Sequence, residues 1–298
     1  MTSQVNIVVS HLIGGLGNQM FQYAVGRALA LRTGARLSLD VTGFANYDLR
    51  RYELEEFNID AEVATDKQLR LVGAVAQSNT LSNRILKRLG FGGSQHVLRE
   101  GSFTYDQRIE EVSTPIYLDG YWQSEKYFTA IASELRQDFS LRQPLDGANA
   151  EMAAAIGQLG QSAISLHIRR GDYVSNSHTA QYHGVCSLDY YRDAVRYLAE
   201  RVEHPHFYIF SDDHTWVQEN LQIDFPMTLV QINSGDRGIY DMMLMKSCGH
   251  HIIANSSFSW WGAWLNPSSQ KIVIAPQQWF KQSTNDTRDL IPAAWVRL

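Results

Sequence analysis

Residues Val5–Asp40, VNIVVSHLIGGLGNQMFQYAVGRALALRTGARLSLD, decide how this chain is read. Val5 to Val9 is a short β-branched run suited to a buried strand, and Gly14-Gly15-Leu16-Gly17 is a tight glycine-rich turn. Met20, Phe21, Ala24, Val25, Ala28 and Leu29 then recur at helical spacing, with Gly34 placed to end the helix. Arg36 to Leu39 reads as the next strand, closing at Asp40. Strand, loop, helix, strand is the repeating unit of a parallel α/β sheet.

The C-terminal half repeats this alternation. Strands are expected at Ala163–Ile168, Phe207–Phe210, Thr228–Ile232, His251–Ala254 and Lys271–Ala275. Between them fall a helix opened by Ser187, with Tyr191, Ala194, Val195, Leu198 and Val202 on one face, and helices at about Asp213–Leu221, Ile239–Ser247 and Ser256–Leu265. From Val41 to about Pro115 no period dominates, although Gly92-Gly93 marks a turn, and Pro144–Ala148 is the best linker. A chain of 298 residues, at roughly 150 per domain, is expected to form two domains. The expectation is an α/β protein with two Rossmann-like domains, 1–145 and 146–298, facing a central cleft.

Composition narrows the function. The chain carries 26 Lys+Arg against 31 Asp+Glu, a net charge of −5, which argues against a nucleic-acid partner. With 44% hydrophobic and 19% charged residues it is not a disordered chain. Cys186 and Cys248 build no disulfide framework, so a reducing compartment is the simpler expectation. The first residues lack the basic and apolar regions of a signal peptide, and no apolar run approaches the ~18 residues that span a membrane. A soluble, cytoplasmic enzyme is expected, with room for peripheral association with a membrane and with its oligomeric state open.

Several loops at expected strand ends carry polar clusters. Gly14 to Gln19 lies between strand and helix, where backbone N–H groups favour anions or sugar oxygens. From Gly15 it half-matches the dinucleotide fingerprint, with Met20 in place of the third glycine and Asp40 where a ribose-binding acid belongs. Equally, the glycines simply turn the chain and Asn18 caps the helix. His167-Ile168-Arg169-Arg170-Gly171-Asp172-Tyr173 ends a buried strand, and two forked guanidiniums suit phosphate oxygens. The alternative is a surface Arg–Asp pair beside a core histidine. Val174–Cys186, with His178 and His183, is long enough for a binding loop or an exposed connection.

Ser211-Asp212-Asp213 closes another strand, offering a carboxylate to a base or ribose and a helix cap. Asn255-Ser256-Ser257 opens a helix where a diphosphate can dock, or where it is an ordinary cap. Trp260, Trp261 and Trp264 read as core rather than as a sugar platform. There is no H-E-x-x-H, no G-x-S-x-G, no P-loop and no D-x-D, and His250 and His251 would point to opposite faces of a strand, so no metal site is expected.

Together, GGLGNQMFQYA (Gly14–Ala24), YELEEFNI (Tyr52–Ile59), GYWQSEKYF (Gly120–Phe128), HIRRGDY (His167–Tyr173), FYIFSDD (Phe207–Asp213) and Asp241–Asn266 resemble the bacterial α-1,2-fucosyltransferases of glycosyltransferase family eleven. The resemblance implies a GT-B-type fold and inverting, metal-independent transfer of L-fucose from GDP-β-L-fucose to the 2-hydroxyl of a β-galactoside, with no cofactor. It puts Arg169 or Arg170 on the donor diphosphate, Asn18 and Gln19 at the reacting centre and acceptor, and Ser256, Ser257 and Phe258 on the phosphates or base. Gly17, His167, Tyr173, Asp212, Asp213 and Asn255 complete the candidate substrate contacts. Asp172 is a candidate base by its nearness in sequence, or else a partner of one arginine, and Asn18 can orient the attacking hydroxyl instead. A nicotinamide oxidoreductase and a non-catalytic carbohydrate-binding protein are the alternatives.

Overall fold

The computed structural model describes residues 6–46, 50–74, 96–171, 184–281 and 285–298. They fall into two compact units, Met1–Arg142 with Arg288–Leu290, and Gln143–Thr287 with Ile291–Leu298.

Unit 1 is built on the opening stretch. Strand β1 (Ile7–His11) leads through the glycine turn into the helix Leu16–Thr33 and back into β2 (Arg36–Asp40). Gly34 ends that helix in the left-handed conformation (φ 65°), where a side chain would be strained, and its N–H reaches back to the carbonyls of Ala30 and Leu31. Gly26 lets the helix lie close on the sheet, since a Cβ there would come within 2.8 Å of Leu37 Cδ1. Three short strands follow, β3 (Glu62–Val63), β4 (Val97–Arg99) and β5 (Ile116–Asp119). The sheet runs β3-β2-β1-β5-β4, parallel throughout.

Unit 2 holds β6 (Ala163–Ile168), β7 (His206–Ser211), β8 (Met227–Leu229), β9 (His250–Ile252), β10 (Val273–Ala275) and β11 (Val296–Arg297). Their order is β11-β10-β9-β6-β7-β8, again all parallel. Connecting helices span Leu188–Ala199, His214–Asn220, Gly238–Ser247 and Ser257–Leu265. Ile164, Leu166 and Ile168 of β6 meet Tyr191, Ala194 and Leu198 in the core on one side of this sheet. Tyr208 and Phe210 of β7 meet Leu244 and Met245 in a second cluster. Trp260, Trp261 and Trp264 are all buried, so they form no sugar platform.

Two expectations need correction. Pro144–Ala148 is not a free linker, because the helix Gly147–Leu159 begins inside it. The tail also returns to unit 1 at Arg288–Leu290 before adding β11 to unit 2. Gly92-Gly93 and most of Val174–Cys186, including His178 and His183, lie outside the described residues.

Candidate active site

In each sheet, successive connections leave a central strand in opposite directions, and the gap beyond the carboxyl ends at that reversal is where open α/β sheets bind ligands. In unit 2 the reversal falls between β6 and β9; in unit 1 it falls between β1 and β5. The pairing of Ile168 with Ser211 and of Leu166 with Ile252 brings the ends of β7 and β9 beside the end of β6.

The arginines just past β6 are gripped by the residues just past β7. Arg169 Nη1 lies 2.9 Å from Asp212 Oδ2. The Arg170 backbone N–H donates to Asp212 Oδ1 (2.8 Å), its Nε lies 3.3 Å from Asp213 Oδ2, and its guanidinium stands 4.0 Å over the Trp216 ring. Asp213 Oδ1 also caps the helix His214–Asn220 by accepting from Trp216 N (3.1 Å). At Gly171 a Cβ would come within 2.6 Å of Asp212 Oδ2, so only a glycine leaves that carboxylate in place. The foreseen Arg–Asp pairing therefore exists, but between strands. Asp172 and Tyr173 lie outside the described residues.

His167 is fully buried, and burial pushes its pKa far below the usual range; nearby Arg169 adds to this while Asp212 opposes it. A ring held neutral in this way is no proton donor near neutral pH. Its Nδ1 has no hydrogen-bond partner among the described residues, and the Phe258 ring packs 5.6 Å away. Past β9, Asn255 serves as a brace: its Nδ2 donates to the carbonyls of Gly184 (3.2 Å) and Trp279 (3.1 Å), and its Oδ1 accepts from Cys186 Sγ. Ser256 caps the helix Ser257–Leu265 by accepting from Phe258 N at 3.3 Å. That helix start, with its partial positive charge, follows β9 at the β6/β9 reversal, with Phe258 of its first turn against His167.

In unit 1 the glycine loop is locked from within. Gly14 (φ 77°) packs so tightly that a Cβ would fall 2.6 Å from Asn18 Nδ2. Asn18 does not cap its helix: Gly15 is the N-cap, and Asn18 Oδ1 accepts from Gln123 Nε2 at 2.7 Å. Gln19, next to buried Gly17, is itself buried. It donates to the carbonyls of Gly14 (3.0 Å) and Arg51 (2.8 Å) and accepts from Glu53 N (2.9 Å), clamping the loop to the stretch that follows β2. Gln22 bridges the two sides of the reversal, accepting from Ile13 N and donating to the Gly120 carbonyl. Glu100 accepts from the Tyr121 and Trp122 N–H groups, and burial raises its pKa to about 6. Asp40 is taken up by Tyr117 Oη (2.7 Å) and by Thr42 (3.0 and 2.7 Å), so it is not presented to a ribose.

Sequence reasoning missed Gln22, Glu100, Gln123 and the pair His11 and Asp119 at the ends of β1 and β5. The one signal for that pair was a titratable residue directly at a strand end. Among the described residues no cluster of His, Cys, Asp and Glu has a metal-binding arrangement.

Residues 102–298 match the model of the family described as Glycosyl transferase family 11. Over 301 aligned residues, covering 99% of each chain, the protein is 36% identical to an alpha-1,2-colitosyltransferase of Escherichia coli. The chain belongs to glycosyl transferase family 11. It is also 34% identical to the O-antigen biosynthesis glycosyltransferase WbnK of Escherichia coli, across 97% of this chain and 99% of that one. Among solved structures, Arabidopsis thaliana FUT1 in complex with GDP matches with a TM-score of 0.50 at 11% identity, covering 91% of this chain and 70% of that one. At that identity the likeness speaks for the fold alone, which is GT-B-like α/β. A family 11 glycosyltransferase is not a nicotinamide oxidoreductase or a lectin, and the occupied Asp40 agrees. No helix among the described residues is long and apolar enough to cross a membrane.

Proposed function

We propose that this glycosyltransferase moves L-fucose from GDP-β-L-fucose to the 2-hydroxyl of a terminal β-galactoside, with inversion and without a metal or other cofactor. Unit 2 takes the donor and unit 1 the acceptor. The observation that carries this reading is that two arginines follow directly on β6 and a serine-capped helix starts past the neighbouring β9, at the carboxyl ends of strands on the two sides of the reversal. Both supply positive charge where a departing nucleoside diphosphate develops negative charge, which is the task a metal performs in many glycosyltransferases. The 1,2-linkage is supported by relatives named for it: the colitosyltransferase, and a galactoside alpha-(1,2)-fucosyltransferase 1 of Homo sapiens at 26% identity over 50% of this chain.

In the transfer, the acceptor oxygen attacks the anomeric carbon opposite GDP. The carbon–oxygen bond to phosphate breaks with its electron pair on the diphosphate, and the hydroxyl proton is lost to a base. Arg169, Arg170 and the positive end of the helix that Ser256 caps stabilise the leaving anion.

GDP release from GDP-fucose plus lactose, with and without EDTA, tests the proposal. Acceptor-dependent release that EDTA leaves unchanged is expected; release only in the absence of EDTA would refute metal independence. A second reading rests on the 36% identical relative, whose name states colitosyl transfer. Colitose is fucose without the 3-hydroxyl, so GDP-colitose run beside GDP-fucose separates the two by kcat/KM.

A further inference from the structure

A second polar cluster stands at the carboxyl ends of β1 and β5, at the reversal of unit 1, and nothing in the donor chemistry uses it. His11 Nδ1 lies 3.1 Å from Asp119 Oδ1, and Arg99 Nε donates to Asp119 Oδ2, also at 3.1 Å. The His11 ring stacks on Tyr117 at 5.8 Å, and the Tyr117 hydroxyl is turned away to donate to Asp40. His11 and Asp119 are each about a quarter exposed (24%), while Arg99 reaches into solvent. The hydrogen bond from His11 holds the Asp119 carboxyl below its usual range, so the carboxylate is ionised and fixes the Nδ1–H tautomer. That leaves Nε2 as an acceptor, with no hydrogen-bond partner among the described residues. Gly43 flanks Nε2: a Cβ there would lie at contact distance, 3.8 Å, and the glycine puts no side chain over the ring nitrogen.

An imidazole acceptor beside a guanidinium donor, at the edge where an α/β sheet binds ligands, is a pattern that reads vicinal hydroxyls. We propose that His11, oriented by Asp119 and flanked by Arg99, is a recognition subsite for a hydroxyl of the acceptor sugar and sets which acceptor is taken. This rests on the reading that unit 1 takes the acceptor. Nε2 accepts from one sugar hydroxyl, Arg99 donates to a neighbouring oxygen, and Asp119 is a positioning residue that holds both. A site built this way rejects an acceptor lacking the hydroxyl, because the polar atom is left unpaired.

The test uses the full chain and two readouts. In steady-state transfer with lactose, His11→Ala and Asp119→Asn raise the acceptor KM about tenfold, with the loss falling on that KM rather than on kcat or the donor KM. Among singly deoxygenated lactoses, one analogue costs the wild type about tenfold and costs His11→Ala nothing further. Independently of any donor, lactose shifts the His11 ring resonance in the NMR spectrum of the wild type. An unchanged acceptor KM in a folded His11→Ala protein, an analogue series that penalises both proteins alike, or a silent His11 resonance overturns the inference. A collapse of kcat together with the acid limb of the pH profile overturns it too, because that marks proton transfer rather than recognition. If lactose moves the His11 resonance but no GDP-sugar supports transfer, the proposed function fails while the subsite stands.

Discussion

Arg169 and Arg170 stand next to each other in sequence but in different surroundings. Arg169 meets Asp212, whereas Arg170 is held by Asp213 and by the Trp216 face. If both stabilise the departing diphosphate, Arg169→Ala and Arg170→Ala each lower kcat about a hundredfold, on the order of 3 kcal/mol per donor. Arg170→Lys does not rescue, since an ammonium keeps the charge but not the forked, stacked geometry. Lower stability with unchanged kcat would reduce both arginines to bracing. Asp241 bears on pH. It accepts from Asn233 Nδ2 (2.7 Å), and burial raises its pKa from 3.8 to about 6. A carboxyl whose folded pKa is raised adds stability while protonated and loses it as pH climbs through about 6. Asp241→Asn removes that loss, so its unfolding free energy relative to wild type rises between about pH 4 and 6.5, by about 2 kcal/mol. A pH-independent difference would show that Asp241 does not titrate in this window.

At the scale of elements, the site depends on how closely β9 sits beside β6. Gly249, just before β9, donates its N–H to the Ala163 carbonyl, and a Cβ there would lie 2.7 Å from Gln161 Cα and 2.8 Å from the Gly160 carbonyl. Those are backbone atoms and cannot swing aside. Gly262, in the helix that Ser256 caps, would instead press a Cβ on Met245 at 3.1 Å, and alanine there gains about 1 kcal/mol in helix propensity. Gly249→Ala is expected to cost about 1–3 kcal/mol in urea denaturation and to weaken GDP binding, with Gly262→Ala near neutral. Equal midpoints would mean that the two packings are equally adaptable. The long elements were legible because each carries its own period: the helix at Ser187 and the run Ala163–Ile168 appear where the pattern put them. Strands β3, β4, β5 and β11, of two to four residues, lie outside the regular strand–helix alternation that marked the equally short β8, β9 and β10, and form where a neighbouring strand offers its backbone. The site was legible in the same partial way. Loops at strand ends identified Arg169 and Ser256, but the partner of Arg169 is 43 residues away and fixed by sheet register. That is why nothing local in the sequence pointed to Asp212 as a partner of Arg169, and why the bracing contacts of Gln19 and Asn255 could not be read from their neighbours.

For the molecule as a whole, the alternation of strand and helix revealed two sheets, while the path of the tail stayed hidden. Between Thr287 and Ile291 the chain leaves unit 2, enters unit 1 for three residues and returns to add β11. No local pattern encodes this, because what holds Arg288–Leu290 is a set of contacts far upstream. Asp289 accepts from Lys126 Nζ (2.5 Å) and from the Tyr105 N–H (2.8 Å), both in unit 1. The last residues then close unit 2, with Ile274 paired to Val296 and Leu298 N–H on the Ala275 carbonyl. A residue near the C-terminus thus stabilises the N-terminal unit, and local opening should show it. In Asp289→Ala, amide exchange is expected to quicken around Tyr105 and Lys126, while protection in β6 and β7 stays as in wild type. An equal loss of protection in both units would mean that Asp289 supports global rather than local stability. No change anywhere would mean that its two hydrogen bonds add nothing beyond what water offers the same groups, leaving burial of Leu290 and Ile291 to hold the tail.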